Sequence, residues 1–142
     1  MAYTFRKAQG YKIGNSLCED ELLDTAKEIM ATAKANNCKI VLPVDVVVSK
    51  EFKPMAEHKT VALDEIPAEG WSLLDVGAKT IAAINAELDE CKTLVWNGPL
   101  GVFEFDKFAN GTKKTLIKAE NLEEAVKSAF EKTQRERDSY CS

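Results

Sequence analysis

The segment Ile40-Val41-Leu42-Pro43-Val44-Asp45-Val46-Val47-Val48 is almost unbroken apolar and β-branched sequence. A strand covered on both faces reads this way, as happens where helices pack above and below a parallel sheet. Pro43 cannot donate to a ladder and belongs at a bulge or an unpaired position. Asp45 needs hydrogen-bonded partners if it is buried there, and a structural role is expected of it rather than general-base work. Upstream, Ser16-Leu17-Cys18-Glu19 has the form of a capping box. Behind it Leu22, Ala26, Ile29, Met30 and Ala33 recur at helical spacing, and Asn36-Asn37 ends that helix. Downstream, Lys59–Leu63 reads as a strand, closed by Ile66-Pro67-Ala68-Glu69-Gly70. Ala78–Leu88 reads as a helix with Ile81, Ile84 and Leu88 buried, and Thr93-Leu94-Val95-Trp96 as a short buried strand. One further helix is expected to start near Phe105. Another is expected with Asn121 as cap, Glu124 as reciprocal partner, and Leu122, Val126, Ala129 and Phe130 inside.

This order fits a three-layer α/β fold, a Rossmann-like parallel sheet with helices on both faces. Only three strands are evident where such a sheet usually has about 5–6, so an incomplete domain over 1–133 is expected, followed by a polar tail at 134–142. With 142 residues, 45% hydrophobic and 30% charged, the chain has the size and mixture of one globular domain or a large part of one. No apolar run approaches the roughly 20 residues of a membrane helix. Met1–Lys7 has no apolar stretch of the secretory kind, so a cytoplasmic protein with reduced thiols at Cys18, Cys38, Cys91 and Cys141 is expected. There is no Cys-x-x-Cys and only one histidine, which argues against zinc. A net charge of −4 argues against a nucleic-acid surface, though not against a local phosphate pocket.

The chemistry concentrates in Trp96-Asn97-Gly98-Pro99-Leu100-Gly101-Val102-Phe103-Glu104. A strand that ends in a glycine-bearing loop before a helix is where open α/β sheets bind ligands. Gly98 and Gly101 let backbone approach a ligand, and amides near a helix start attract phosphate oxygens. Asn97 can donate an amide hydrogen bond, and Glu104 can accept from sugar hydroxyls. The same residues also suit a plain strand-to-helix turn. The segment is not a GxGxxG fingerprint, and no GxxxxGK[ST] loop occurs.

Trp96-Asn97-Gly98-Pro99, Gly101-Val102-Phe103-Glu104 and Phe108-x-x-Gly111-Thr112 closely resemble phosphoglycerate kinase. So do Leu42-Pro43-Val44-Asp45 and Met1-Ala2-Tyr3-Thr4-Phe5, and the five stretches run in that family's order across residues 1–117. The resemblance implies part of the carboxy-terminal, nucleotide-binding domain of a two-domain enzyme. That enzyme moves a phosphoryl group between 1,3-bisphosphoglycerate and Mg-ADP, giving 3-phosphoglycerate and ATP. It implies Asn97 beside the terminal phosphates, Gly98 and Pro99 shaping the loop, and Glu104 on the ribose. Val102, Leu74 and Phe5 are implied as apolar contacts around adenine.

Where the family has Gly-Leu-Asp-x-Gly-Pro, this chain has Leu73-Leu74-Asp75-Val76-Gly77-Ala78, which implies a base site partly obstructed by Leu73. The family's amino-terminal domain, its Gly-Gly-Gly-Asp loop with the magnesium aspartate, and its Thr-Gly-Gly-Gly helix start are not found in this sequence. The resemblance therefore implies a fragment without catalytic residues or a metal ligand, binding ADP or ATP weakly, inactive alone, and partnered by the rest of the kinase. Two other readings stand beside it. One is a non-catalytic interaction or oligomerisation module on the same fold, docking on a partner or a second copy through the face from Leu122 to Phe130; the other is an unrelated dinucleotide or flavin domain. His58 is read as a solvated surface histidine, and Trp71 and Trp96 as packing residues.

Overall fold

A computed structural model describes residues 1–119 apart from 15, 17, 68 and 69. The expected helix capped at Asn121 and the polar tail lie outside the described residues. The elements run in the order α1 (Ala2–Ala8), α2 (Leu23–Ala35), β1 (Asp45–Ser49), β2 (His58–Ala62), β3 (Ser72–Val76), α3 (Ala78–Glu90) and α4 (Asn110–Ala119). Short 3-10 turns lie at Asp20–Leu22, Leu63–Glu65 and Asp106–Phe108.

The sheet corrects the expected parallel, Rossmann-like architecture. Among the described residues it has three strands in the order β2-β1-β3, and both pairings are antiparallel. Asp45 faces Ala62 and Ser49 faces His58 on one side of β1; Val46 faces Val76 and Ser49 faces Ser72 on the other, with an irregularity between Val47 and Val48. For β1 and β2 the reason lies in the link over 50–57, too short for the crossover of a dozen or more residues that parallel neighbours require. The Ser49 hydroxyl donates to the Glu57 carbonyl (2.8 Å) and accepts from the Glu51 amide (3.2 Å), tying this hairpin at its base.

Coverage on both faces holds for β1, whose five residues are all buried. Val46 and Val48 pack with Leu63, Ile66 and Leu73, and Tyr3 of α1 lies against this group. Val47 turns the other way, to Ala56, Leu74 and Phe108. Alternation along an extended strand produces the division.

Other expectations fare differently. Helix α2 ends where Asn36-Asn37 stops it: Asn37 takes the left-handed conformation (φ 52°), and the Cys38 amide reaches back to the Ala33 carbonyl at 2.8 Å. Ser16 does not cap that helix. Its hydroxyl accepts from the Leu73 amide of β3 (2.9 Å), and α2 begins only at Leu23. Thr93–Trp96 forms no strand among the described residues, and Val95 is 86% exposed. Pro43, buried just ahead of β1, is unpaired in the sheet, and its carbonyl accepts from Arg6 Nε at 2.7 Å.

Candidate functional site

Strand β3 carries Leu74 and Asp75 to the base of the loop that the sequence singles out. Asp75 is fully buried. Its Oδ1 accepts from the Val76 amide (2.8 Å) and its Oδ2 from the Gly111 amide (3.0 Å) at the start of α4. Burial pushes the carboxyl pKa up, and the amides of Gly111, Val76 and Asn110 pull it back only in part, so it stays above the usual aspartate range. Gly101 and Gly111 both lie against this carboxylate. A Cβ on either would overlap it, so the glycines are required here by close approach.

Three further bonds hold the loop's downstream end. The Val102 amide donates to the Leu74 carbonyl (2.8 Å), the Leu100 amide to Thr112 Oγ1 (3.0 Å), and the Phe103 amide to the Gly101 carbonyl (2.9 Å). The tip is different. Asn97, Gly98 and Pro99 are all exposed, and Gly98 holds φ +121°, open to glycine and strained for other residues, with empty space around it. The start of α4 is not an open anion site, since Asp75 already takes its Gly111 amide.

Of the sequence-selected residues, the fold brings Leu74 and Val102 together: Leu74 is buried with Val47, Ala56 and Phe108, and Val102 and Phe105 pack against that group. Glu104 is half-buried on the same turn. Pro99 borders a hollow of about 300 Å³ shared with Val76, Thr80, Ile84 and Pro43. Phe5 lies elsewhere, lining a separate hollow between α1 and α2 with Leu22, Ala26 and Ile29. Leu73 does not obstruct the Leu74 side; its side chain is buried with Val46 and Val48 on the opposite face of the sheet.

Two contributors were not selected from the sequence. Asp75 is one; a carboxylate between apolar neighbours was its signal. The other is Phe52, 66% exposed, its ring edge-on to Phe105 with centroids 5.2 Å apart, which extends the apolar surface of Val102 and Leu74 outward. Nothing in local sequence separates such a ring from ordinary hairpin residues. His58 is exposed as expected but is not wholly solvated, since its ring stands edge-on to Phe108 at 5.4 Å. Among the described residues no three acidic, cysteine or histidine side chains converge to hold a metal, and no helix is long and apolar enough to cross a membrane.

The chain is thus an α/β polypeptide whose glycine-bearing loop is seated on the end of a buried strand. Residues 1–130 match the family model for phosphoglycerate kinase, and the chain belongs to that family. The phosphoglycerate kinase of Methylorubrum extorquens strain PA1 is 54% identical over 112 residues, covering 79% of this chain and 28% of that relative. That of a Picosynechococcus strain is 52% identical over 122 residues, 84% of this chain and 30% of the relative. The solved phosphoglycerate kinase of Coxiella burnetii superposes with a TM-score of 0.82 at 40% identity, over 85% of this chain and 31% of that one. The chain therefore spans under a third of the relatives it matches.

Proposed function

We propose that the loop from Asn97 to Glu104, with Leu74 and Val102 behind it, forms one wall of an ADP/ATP site in a phosphotransferase of the phosphoglycerate kinase type. The observation that carries this reading is the contrast within the loop. Its downstream end is bonded to β3 and α4, whereas Asn97, Gly98 and Pro99 are left in solvent with Gly98 in a conformation that bares its backbone. A loop rigid at its base and open at its tip can meet phosphate oxygens without reorganising, and phosphoryl transfer asks for positioning and charge neutralisation above all. The apolar surface of half-buried Val102 and exposed Phe52, backed by buried Leu74, offers a flat base something to lie against. Glu104 accepts from the ribose hydroxyls. Magnesium arrives with the nucleotide as substrate.

The whole enzyme would transfer a phosphoryl group between 1,3-bisphosphoglycerate and Mg-ADP. This chain would hold one side of the nucleotide and complete no transfer by itself. Millimolar affinity, about −4 kcal/mol, is what a single wall supports. An ADP titration followed by amide chemical shifts tests it: residues 97–104 shift, and Glu104→Ala weakens binding severalfold. Shifts confined to other parts of the chain overturn the assignment, and an unchanged affinity in the variant removes Glu104.

A further inference from the structure

We propose that Asp75 is a positioning residue for this loop: its carboxylate ties the loop's exit and the start of α4 to β3, and so fixes where Asn97 and Gly98 stand. The inference rests on the nucleotide reading of residues 97–104. Its own support is geometric. One oxygen of the carboxylate accepts from Val76 within β3, the other from Gly111 in α4, and Gly101 lies against it from the loop. Three separate stretches of chain therefore meet on one side chain. Around that point the Leu100 amide is held by Thr112, and the Val102 amide by Leu74. Gly98 is only three residues from Gly101, too few for the tip to move independently of this anchor.

The group is an uncommon choice for mere filling. It is wholly buried, and among the described residues no lysine or arginine pairs with it. The titratable group that faces it is the Tyr3 phenol of α1, which burial first and the Asp75 charge second hold neutral well above physiological pH. An unpaired buried carboxylate is unfavourable unless amides surround it. A carboxylate has one property no apolar side chain offers, acceptance from two chain segments at once.

Asp75→Asn tests the assignment. The amide keeps the volume and one acceptor but turns an NH2 toward an amide donor. In this variant the ADP affinity read from the Gly98 amide shift falls at least about threefold, while residues of α2, remote from the carboxylate, keep their wild-type shifts. The wild-type chain supplies a second measurement. As acid is added, the Gly98 and Gly111 amides shift together with the Asp75 carboxyl carbon, at a midpoint above the usual aspartate range. A folded Asn variant with wild-type ADP affinity overturns the proposal. So does a wild-type Gly98 amide that ignores the protonation of Asp75, which decides the matter even if the variant does not fold. Should wild-type chain show no response to ADP, the nucleotide reading fails, and the link between Asp75 and Gly98 is then judged on the acid titration alone.

Discussion

Asp45 and Thr80 form another polar contact inside this fold, and it secures a helix. Asp45 Oδ2 accepts from the Lys79 amide (2.9 Å), and Oδ1 from the Thr80 amide (2.8 Å) and the Thr80 hydroxyl (2.6 Å). The hydroxyl oxygen in turn accepts from the Val44 amide at 3.0 Å. The carboxylate of a strand residue thus caps α3 across a separation of 35 positions, in place of a local Ser or Thr cap. Asp45→Ala strands these donors in a buried site and lowers stability by about 1–3 kcal/mol. Urea unfolding measures this as a lower midpoint at unchanged slope; a loss below about 0.5 kcal/mol, the range of ordinary surface changes, removes the cap from the account. That Asp45 would be satisfied structurally is legible from its apolar neighbours. Its partner is not, because nothing local links residue 45 to residue 80. Leu73 and Leu74 teach the same lesson: they look alike in sequence, yet strand alternation sends them into opposite layers.

Helices α2 and α3 are legible, since their periodicity is internal to the segment, whereas α1 is not foreseen and the helix expected near Phe105 begins only at Asn110. Helix α3 follows most of its expected stripe, with Ile81 and Leu88 buried but Ile84 half-buried beside a hollow, and α2 stops at its asparagines. Strands depend on neighbours that sequence does not name. The run at 40–48 yields a strand only from Asp45, and β3 at Ser72–Val76 was hidden inside a motif read for its ligand role. Thr93–Trp96 has strand composition, but no strand lies beside it among the described residues, and Val95 stays in water. The loop it precedes is nevertheless held from its other end. It follows that Val95→Lys changes stability by less than about 0.5 kcal/mol, whereas Phe108→Ala, at a fully buried ring, costs about 3–5 kcal/mol. A loss above about 1 kcal/mol for Val95→Lys in the isolated chain shows instead that this segment is covered in solution. Sedimentation then tells whether a second copy covers it.

At the scale of the whole chain, the two buried aspartates act on acid stability with opposite signs. For Asp75 the folded pKa is raised, chiefly by burial, so the folded state takes up a proton before the unfolded state does. Its contribution is fully present below the unfolded value, about 3.9, and is lost as pH rises through the folded value. For Asp45 burial also opposes the charge, but the Thr80 hydroxyl and the Lys79 and Thr80 amides outweigh it, and the folded pKa is lowered. Its contribution is present above about 3.9 and is lost as pH falls through the folded value. Asp20, paired with Lys7 at the surface, acts in the same direction as Asp45, but salt screens that exposed pair. In high salt, the urea midpoint therefore rises as pH is lowered from neutral toward the ordinary aspartate range, then falls below it. Asp75→Asn flattens the first limb, and Asp45→Asn flattens the second. A midpoint that declines steadily from pH 7 to 4 in wild-type chain means that Asp75 is not buried as a carboxylate. The anchor beneath the loop would then be lost along with the acid profile.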